Sequence, residues 1–207
     1  MNELFVPLVA KFSRSGDIAQ DVAAFFRANG YLKTLDHSAL VAAEALRLAV
    51  RFGVDPVKAN QAGWLHDISA VFLNSERVMV AEKLGLELLP EERINPVVVH
   101  QKISVVMAQE IFNMQDKEVL EAIGHHTTLR AGASLLELVL FVADKTAWDQ
   151  QGMPPYLPEI QTALEVSLQK AALVYLHSLW ERRDQLPGPL HPWALDAMRD
   201  LEKSSQE

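Results

Sequence analysis

Apolar residues recur at spacings of three and four positions along almost the whole chain, and this pattern constrains the fold more than any other feature. Such spacing places apolar side chains along one face of an α-helix. No stretch alternates apolar and polar residues between turn residues, as a half-buried β-strand does. The sequence therefore predicts an all-α protein whose helices pack their apolar faces into a common core.

Glycine, proline and capping residues divide this pattern into separate helices. Gly53 and Gly85 are expected to end two of them, and Asp55 followed by Pro56 to begin another. The predicted helices cover about 18–26, 40–50, 56–66, 75–84, 97–112, 117–126, 134–148 and 159–184. Residues 88–96 are predicted to form a loop, and the polar tail from Leu201 onward is expected to fray.

The length of 207 residues fits one domain, here 1–207, with a core at about 37–148 and the 159–184 helix packed on it. The longest apolar stretches, such as 135–143, are far shorter than the roughly 20 residues of a membrane-spanning helix. The N-terminus has no basic leader before its apolar run. The sequence therefore predicts a cytoplasmic protein that has no membrane partner.

The charge balance and the cysteine count exclude several classes of function. Lys and Arg number 19 against 27 Asp and Glu, which gives a formal charge of −8. This balance disfavours a nucleic-acid polymer as partner, because phosphate backbones are bound mainly by Lys and Arg. The chain contains no cysteine, which excludes disulfides, thiolate metal sites and cysteine nucleophiles. Any metal would be bound by histidine nitrogen and carboxylate oxygen.

Histidine and aspartate residues lie near the ends of predicted helices. His37 is expected to start a helix, His66 and Asp67 to end one, His100 to lie near the start of one, His125 and His126 to end one, and Asp144 to lie in a last turn. Helix ends can converge in a bundle and form a metal site. A hydrogen-bonded core histidine, or a salt-bridged or capping aspartate, is the alternative for each. His177 and His191 are expected to be structural.

The order H…HD…H…H…D on a helical background resembles the HD-domain superfamily of metal-dependent phosphohydrolases. Four segments carry the resemblance: DHSALVAAEALRLAVRFGVDPVKANQAGWLHDI, HQKISVVMAQEIF, AIGHHTTLR and SLLELVLFVAD. They extend over roughly 37–144, about half of the chain. They are most similar to bacterial HD-domain hydrolases that cleave diadenosine tetraphosphate symmetrically. The resemblance implies a phosphodiesterase-like helical bundle with a metal site in its core.

The resemblance also implies six metal ligands in two groups that share one aspartate. One metal would be bound by His37, His66, Asp67 and Asp144, and a second by His100, His126 and the bridging Asp67. His66 and Asp67 would also be the catalytic residues. The implied cofactor is one or two divalent or mixed-valence transition metals. Iron is favoured, and manganese, nickel, cobalt and zinc accept the same ligands.

Substrate contacts are predicted at five further residues. Thr127, Thr128 and Arg130 match the family segment expected near the phosphates, and the planar guanidinium of arginine can pair with two oxygens. Lys102 is a further candidate for phosphate, and Trp148 for stacking on a base. The alternatives are a solvated surface cation for Lys102 and a packing side chain for Trp148.

Three residues and one segment depart from the tetraphosphate hydrolase pattern. Ala70 stands where that pattern has lysine, Leu129 where it has glycine, and His125 where tyrosine is common. After Asp144 the chain reads KTAWDQ in place of Tyr-Ile-Glu-Pro. The predicted metal ligands are complete while their surroundings differ, so the resemblance is to a sister subgroup of HD hydrolases.

These observations predict a metal-dependent phosphohydrolase that acts on a nucleotide or a dinucleoside polyphosphate, with hydroxide on a metal attacking phosphorus. Symmetrical bis(5'-nucleosyl)-tetraphosphate hydrolysis is one activity of this class. A non-catalytic metal-binding HD regulatory module and an HD-type di-iron oxygenase remain as alternatives. The expected partner is a small-molecule phosphate ester, a nucleotide first of all, and assembly as a homodimer is left open.

Overall fold

Helices form almost all of the secondary structure in the computed structural model, which describes residues 1–11, 13–148 and 151–204. The described α-helices are α1 (Val6–Val9), α2 (Ile18–Asn29), α3 (Leu32–Phe52), α4 (Pro56–Leu65), α5 (Arg77–Lys83), α6 (Pro90–Ile94), α7 (His100–Phe112), α8 (Lys117–His125), α9 (Leu135–Thr146), α10 (Leu157–Leu164), α11 (Leu168–Glu181) and α12 (Pro192–Ser204). Short 3₁₀-helices lie at Glu3–Phe5, Ile68–Val71, Pro96–Val99 and Arg183–Gln185. No β-strand occurs in the described ranges, which confirms the all-α prediction.

Capping residues that are visible in the sequence set several helix ends. The Asp55 carboxylate accepts hydrogen bonds from two N–H groups of the first turn of α4, at 2.8 and 3.2 Å, and Pro56 occupies the first position. Gly53, in the left-handed conformation with φ of 71°, ends α3. Ser134 and Glu137 form a reciprocal capping box at the start of α9. The predicted helix end at Gly53 and start at Asp55 are confirmed.

Two helices that carry candidate ligands begin at other positions than predicted. α3 begins at Leu32, so His37 lies in its second turn and not at its start. The reason is that Gly30, with φ of 82°, ends α2 abruptly and only Gly30 and Tyr31 separate the two helices. α7 begins at His100 and not at residue 97, because Pro96 opens a separate 3₁₀ turn before it.

The predicted loop at 88–96 and the predicted long helix at 159–184 are both wrong. The loop region contains the short helix α6, where the Glu92 carboxylate accepts a hydrogen bond from the Leu89 N–H at 2.7 Å. The long helix is divided into α10 and α11. The Ser167 hydroxyl starts α11 by accepting a hydrogen bond from the Lys170 N–H at 3.1 Å.

The end of the described chain is helical where fraying was expected. α12 was not predicted as a helix, and it includes residues 201–204 of the tail, while residues 205–207 lie outside the described ranges. Ala194, Ala197 and Leu201 are buried at spacings of three and four. This narrow apolar face explains why the predominantly polar segment is held against the protein.

The helix α9 lies at the centre of the molecule. Every residue from Leu136 to Ala143 is buried, and all of them except Glu137 are apolar, as expected for a helix in the core. It packs against α3, α8 and α11, and one apolar cluster includes residues from Phe5 to Leu201. Even so, no helix within the described ranges is long and apolar enough to cross a bilayer.

The helices α3 and α4 approach each other closely at Gly63. A Cβ atom at this position would lie 2.5 Å from the Cα of Ala42. Only glycine permits this approach. His66 follows Gly63 by three residues, so the close crossing holds the end of α4 beside the helix that carries His37.

Candidate metal centre

The structure brings the six predicted metal ligands together at one place in the core. They come from five parts of the chain: His37 from α3, His66 and Asp67 from the end of α4, His100 from the start of α7, His126 from the end of α8, and Asp144 from the last turn of α9. His66 and His126 are almost fully buried, at 0 % and 1 % exposure. Side chains far apart in sequence therefore meet where the ends of the packed helices converge.

Two groups of three side chains share Asp67. His37, His66 and Asp67 form one group, and Asp67, His100 and His126 form the other; within each group the ligand atoms lie within 4.8 Å of one another. The two Asp67 oxygens face different groups. Oδ2 lies 3.5 Å from His66 Nε2, while Oδ1 lies 3.2 Å from His100 Nε2. This arrangement suits a carboxylate that bridges two cations.

Asp144 adds a second carboxylate on the side of His37 and His66. Its Oδ1 lies 3.2 Å from His37 Nε2 and 3.7 Å from His66 Nε2. Burial alone would raise the pKa of Asp144, but Lys145 and the neighbouring histidines hold this pKa well below the ordinary value. Burial would likewise raise the pKa of Asp67, and His66, His100 and His126 hold it far below its ordinary value. Both groups are therefore carboxylates.

Backbone carbonyls fix the orientation of three imidazoles. Nδ1 of His66 and of His126 each donates to the carbonyl oxygen three residues earlier, both at 2.7 Å, and His100 Nδ1 makes the same contact with Val97. A carbonyl oxygen only accepts, so each Nδ1 carries the hydrogen and each Nε2 presents its lone pair to the centre. Metal-binding histidines are oriented in this way by their surroundings.

The unshared electron pairs at the centre call for a cation. His100 Nε2 lies 2.9 Å from His126 Nε2, so two lone pairs face each other. His66 Nε2 is buried and has no hydrogen-bond partner in the described parts of the chain. Burial, together with His100 and His66, holds the pKa of His126 well below its ordinary value, so this imidazole is neutral. A metal ion in each group would accept these lone pairs, from His66 in one group and from His100 and His126 in the other. The residues present therefore fit a metal centre.

Polar residues behind α7 support the centre, and no sequence motif pointed to them. The Ser69 hydroxyl donates to the His100 carbonyl at 2.8 Å and in turn accepts from Ser104 Oγ at 2.9 Å. Arg77 is 8 % exposed and donates to the Val97 carbonyl at 2.9 Å. The same Val97 carbonyl accepts the hydrogen bond from His100 Nδ1. Arg77 therefore stabilises the turn that orients His100.

The predicted substrate residues Thr127 and Thr128 point to different surroundings. Thr127 Oγ1 lies 3.1 Å from His100 Nε2, so this hydroxyl borders the metal centre. Thr128 is 2 % exposed, and its Oγ1 accepts a hydrogen bond from Gln101 Nε2 at 3.1 Å. Gln101 Oε1 also accepts from both threonine N–H groups, at 3.1 and 3.3 Å. Gln101 therefore fixes the turn that follows His126.

Arg130 and Lys102 are paired with carboxylates outside the cluster of six. Arg130 Nε donates to Glu137 at 2.6 Å, and its Nη2 lies 3.1 Å from Glu121. Lys102 Nζ lies 2.8 Å from Glu92, a fully buried carboxylate. Their roles in phosphate binding remain predictions. In this structure both cations are already paired with carboxylates.

The remaining histidines are also paired with acidic side chains, outside the cluster of six. His125 Nδ1 lies 2.9 Å from the buried Glu137, His191 Nε2 3.2 Å from Glu92, and His177 Nε2 2.8 Å from Glu202. The structural roles expected for His177 and His191 remain predictions.

Trp148 borders a surface groove of about 530 Å³ between α3, α10 and the end of α9. Its Nε1 donates to the Gly152 carbonyl at 2.8 Å. The groove is also lined by Leu40, which follows His37 by one helical turn. Asp149 and Gln150, the remaining residues of the KTAWDQ segment, lie outside the described ranges.

Lys145 is a residue at the centre that was not predicted as a site residue. Its ammonium contacts Asp144 Oδ2, and the side chain is only 11 % exposed. The Nζ atom lies 5.3 Å from the Phe141 ring centroid and 5.4 Å from that of Tyr175. Burial alone would lower the pKa of Lys145, but Asp144, Tyr175 and Tyr156 raise it, so the amine is a cation.

The chain is similar in sequence to proteins from two bacteria. The chain is 42 % identical over 168 residues to an uncharacterized protein of the pepC 5' region of Lactococcus lactis subsp. cremoris; the match covers 77 % of this chain and 85 % of that protein. It is 32 % identical over 139 residues to the symmetrical bis(5'-nucleosyl)-tetraphosphatase of Bacillus subtilis (strain 168), covering 66 % and 72 %.

A crystal structure from Clostridium acetobutylicum, described as a predicted HD superfamily hydrolase involved in NAD metabolism, has a similar fold. The TM-score is 0.82 at 26 % sequence identity, and the match covers 89 % of this chain and 97 % of that one. The family model of the HD domain matches residues 34–149, a range that contains all six converging side chains. The chain therefore belongs to the HD domain family, within the HD superfamily of hydrolases.

Proposed function

We propose that the protein is a metal-dependent hydrolase of phosphoric esters or anhydrides that acts on a nucleotide or a dinucleoside polyphosphate. The observation that carries this proposal is the position of Asp67, which belongs to both three-residue groups of the centre. Two cations joined by one carboxylate suit phosphoester hydrolysis. The names of relatives such as the Bacillus subtilis tetraphosphatase support this substrate class.

Each group of this chain has a defined task in the proposed reaction. His37, His66, Asp67 and Asp144 would hold one metal, and His100, His126 and Asp67 the other. When bound, the metals supply an activated water and neutralise charge on the phosphoryl oxygens. The Nδ1–H bonds to backbone carbonyls keep the imidazoles aimed at the centre. Burial of His66 and His126 restricts the access of bulk water.

Several finer points belong to the same proposal. Iron is the first metal to test, followed by manganese, nickel, cobalt and zinc, since all accept imidazole and carboxylate ligands. We treat 1–207 as one HD-type domain, because a single apolar cluster includes residues from Phe5 to Leu201. Symmetrical cleavage of a dinucleoside tetraphosphate is the first reaction to assay.

The test is a substrate panel with a matched variant. Protein loaded with each metal is assayed for phosphate release and nucleotide products from diadenosine tetraphosphate, nucleoside mono-, di- and triphosphates and a generic aryl phosphate. We expect turnover of at least one nucleotide substrate, and none by Asp67→Ala. Metal-loaded protein that hydrolyses no member of the panel would contradict the proposal. Oxygen consumption with an organophosphonate or a diol would then identify an oxygenase.

A further inference from the structure

Three side chains form a wall next to Asp144 that belongs to neither group of metal-binding residues. The Lys145 ammonium contacts Asp144 Oδ2 and lies 5.4 Å from the Tyr175 ring centroid. The Tyr156 and Tyr175 rings are in edge-to-face contact, with centroids 5.0 Å apart. Arg182 lies behind Tyr156, its Cζ 5.6 Å from the ring centroid. The two tyrosine rings therefore lie between the cations of Lys145 and Arg182.

The two tyrosines come from a part of the chain that the family match does not include. The match to the HD domain ends at residue 149, whereas Tyr156 immediately precedes α10 and Tyr175 lies in α11. The separation of α10 from α11 places both rings beside the end of α9, where Lys145 lies. Two of the three wall residues therefore lie beyond the family segment, while Lys145 lies within it.

The wall offers hydrogen-bond donors that this structure leaves available. An ammonium group has three N–H donors. Lys145 donates one to Asp144 and one, over 3.5 Å, to the His126 carbonyl, so one N–H donor has no partner within the described ranges. The side chains of Tyr156 and Tyr175 are partly buried. Neither tyrosine hydroxyl has a hydrogen-bond partner among the described residues. A buried cation beside two tyrosine side chains, which each carry a hydroxyl donor, is suited to an anion that has several acceptor oxygens.

The position of Asp144 places this wall within reach of the metal centre. Asp144 Oδ1 faces His37 and His66, while Oδ2 faces Lys145. The ammonium thus lies on the other side of the same carboxylate that would hold a metal. A phosphoryl group spans only a few ångströms, so one group, or two joined by an anhydride, could contact the centre and the wall together.

We propose that Lys145, Tyr156 and Tyr175 form a phosphate-binding subsite that holds a phosphoryl group of the substrate beside the metal centre. This inference rests on the proposed function and adds to it the residues that recognise the charge of the substrate. Lys145 pairs with the phosphoryl oxygens, and the two hydroxyls donate hydrogen bonds to them. The competing explanation is that Lys145 serves only to orient Asp144.

The experiment measures binding of inorganic phosphate, without turnover, by calorimetry on metal-loaded protein. Lys145→Met removes the charge while keeping the chain length, and Tyr156→Phe and Tyr175→Phe remove only the hydroxyls. Elemental analysis of each variant measures the metal content separately. Lys58→Met is the matched control, because Lys58 is also paired with carboxylates, Asp116 at 2.9 Å and Glu118, but these lie at the start of α8 and are not among the six ligand candidates.

We expect Lys145→Met to weaken phosphate binding about tenfold or more and each tyrosine variant by about two- to tenfold, as for the loss of one charged or neutral hydrogen bond. The metal content should stay at the wild-type level, and Lys58→Met should bind phosphate normally. The KM for the best phosphate ester should rise in parallel in the three subsite variants.

Two results would overturn the subsite. One is unchanged phosphate affinity in Lys145→Met. The other is loss of metal in Lys145→Met while both tyrosine variants bind phosphate normally, which would assign Lys145 to Asp144 alone. If the wild-type protein hydrolyses an ester in either case, the subsite fails and the proposed function stands. A wild-type protein that hydrolyses no ester would instead reject the proposed function.

Discussion

Asp67 is the residue on which both halves of the centre depend. Its Oδ1 lies 3.2 Å from His100 Nε2 and its Oδ2 3.5 Å from His66 Nε2. We therefore expect Asp67→Ala to abolish binding of both metals, whereas His126→Ala should lose only one. Elemental analysis of proteins purified without chelators measures the difference. Equal metal loss in the two variants would contradict a bridging role.

Arg130 contributes to stability through the buried Glu137. The Glu137 carboxylate is fully buried, and Arg130 Nε donates to it at 2.6 Å. Removing the arginine leaves this carboxylate with His125 and Ser134 as partners. We expect Arg130→Ala to lower the free energy of unfolding by about 1–3 kcal/mol, as measured by urea titration.

The metal content of Arg130→Ala should not change, because the guanidinium is not among the converging ligands. If the variant instead keeps its stability and loses catalytic efficiency about 100-fold, the role in phosphate binding inferred from the sequence would be supported.

The six ligand candidates could be predicted from the sequence because their order along the chain, H…HD…H…H…D, resembles that of the HD-domain superfamily. The direction in which the neighbouring side chains point could not be predicted from the sequence. Lys102 lies two residues after His100, yet its ammonium faces Glu92. Lys145 drew no attention as a site residue, although it touches Asp144. Which face of a helix a cation occupies depends on the carboxylates of other elements, and one sequence does not reveal these.

At the level of elements, the crossing of α3 and α4 sets the distance between His37 and His66. A methyl group at Gly63 would lie 2.5 Å from the Ala42 Cα. We expect Gly63→Ala to destabilise the protein by about 1–3 kcal/mol and to weaken metal binding, since the helices must separate. Thermal unfolding and metal titration measure the two effects.

Gly124→Ala is the control for this prediction. Its Cβ would meet only the Val105 side chain, at 3.3 Å, and alanine favours the helix, so the change should stay below about 1 kcal/mol. A Gly63→Ala protein with wild-type stability and metal affinity would show that the close crossing is not needed.

Element boundaries were predictable where a residue has one strong local preference. Gly53 and Asp55 are of this kind, and both predictions are confirmed. The separation of α10 from α11 was not predictable, because Ser167 is acceptable inside a helix as well as at its start. The helix α12 was missed because its burial depends on Ala194, Ala197 and Leu201 contacting a surface made by other helices.

At the level of the whole molecule, metal should stabilise the folded state. The ligands come together only in the native structure, so a cation binds that state alone. At a free concentration 100-fold above its Kd, each metal would add about 2.7 kcal/mol. We expect a chelator to lower the melting temperature, and Asp67→Ala to be insensitive to it. Wild-type protein that melts at one temperature with and without metal would contradict the centre.

Acid should weaken the contact between α6, α7 and the start of α12. Burial alone would raise the pKa of Glu92, but His191, Lys102 and the Leu89 N–H hold this pKa below the ordinary value of 4.5. The stabilisation is therefore present above about pH 4.5 and is lost as the pH falls toward the lower folded-state pKa.

Urea titrations over this acidic range should show a smaller loss of stability for Glu92→Gln than for the wild type, because the variant has no carboxylate there to protonate. The variant should already be less stable at neutral pH. If the free energy of unfolding falls with pH at the same rate in both proteins, Glu92 is not the source of the acid sensitivity.

The spacing of the six ligands along the chain has a consequence for biosynthesis. The first is His37 and the last is Asp144, on the helix at the centre of the core. While the chain is emerging from the ribosome, the earlier histidines are present without their final carboxylate partner. Complete loading with metal must therefore wait until α9 has been synthesised and has docked. A nascent chain released before residue 144 would carry a partial set of ligands, with access to metal but no closed pocket to retain it.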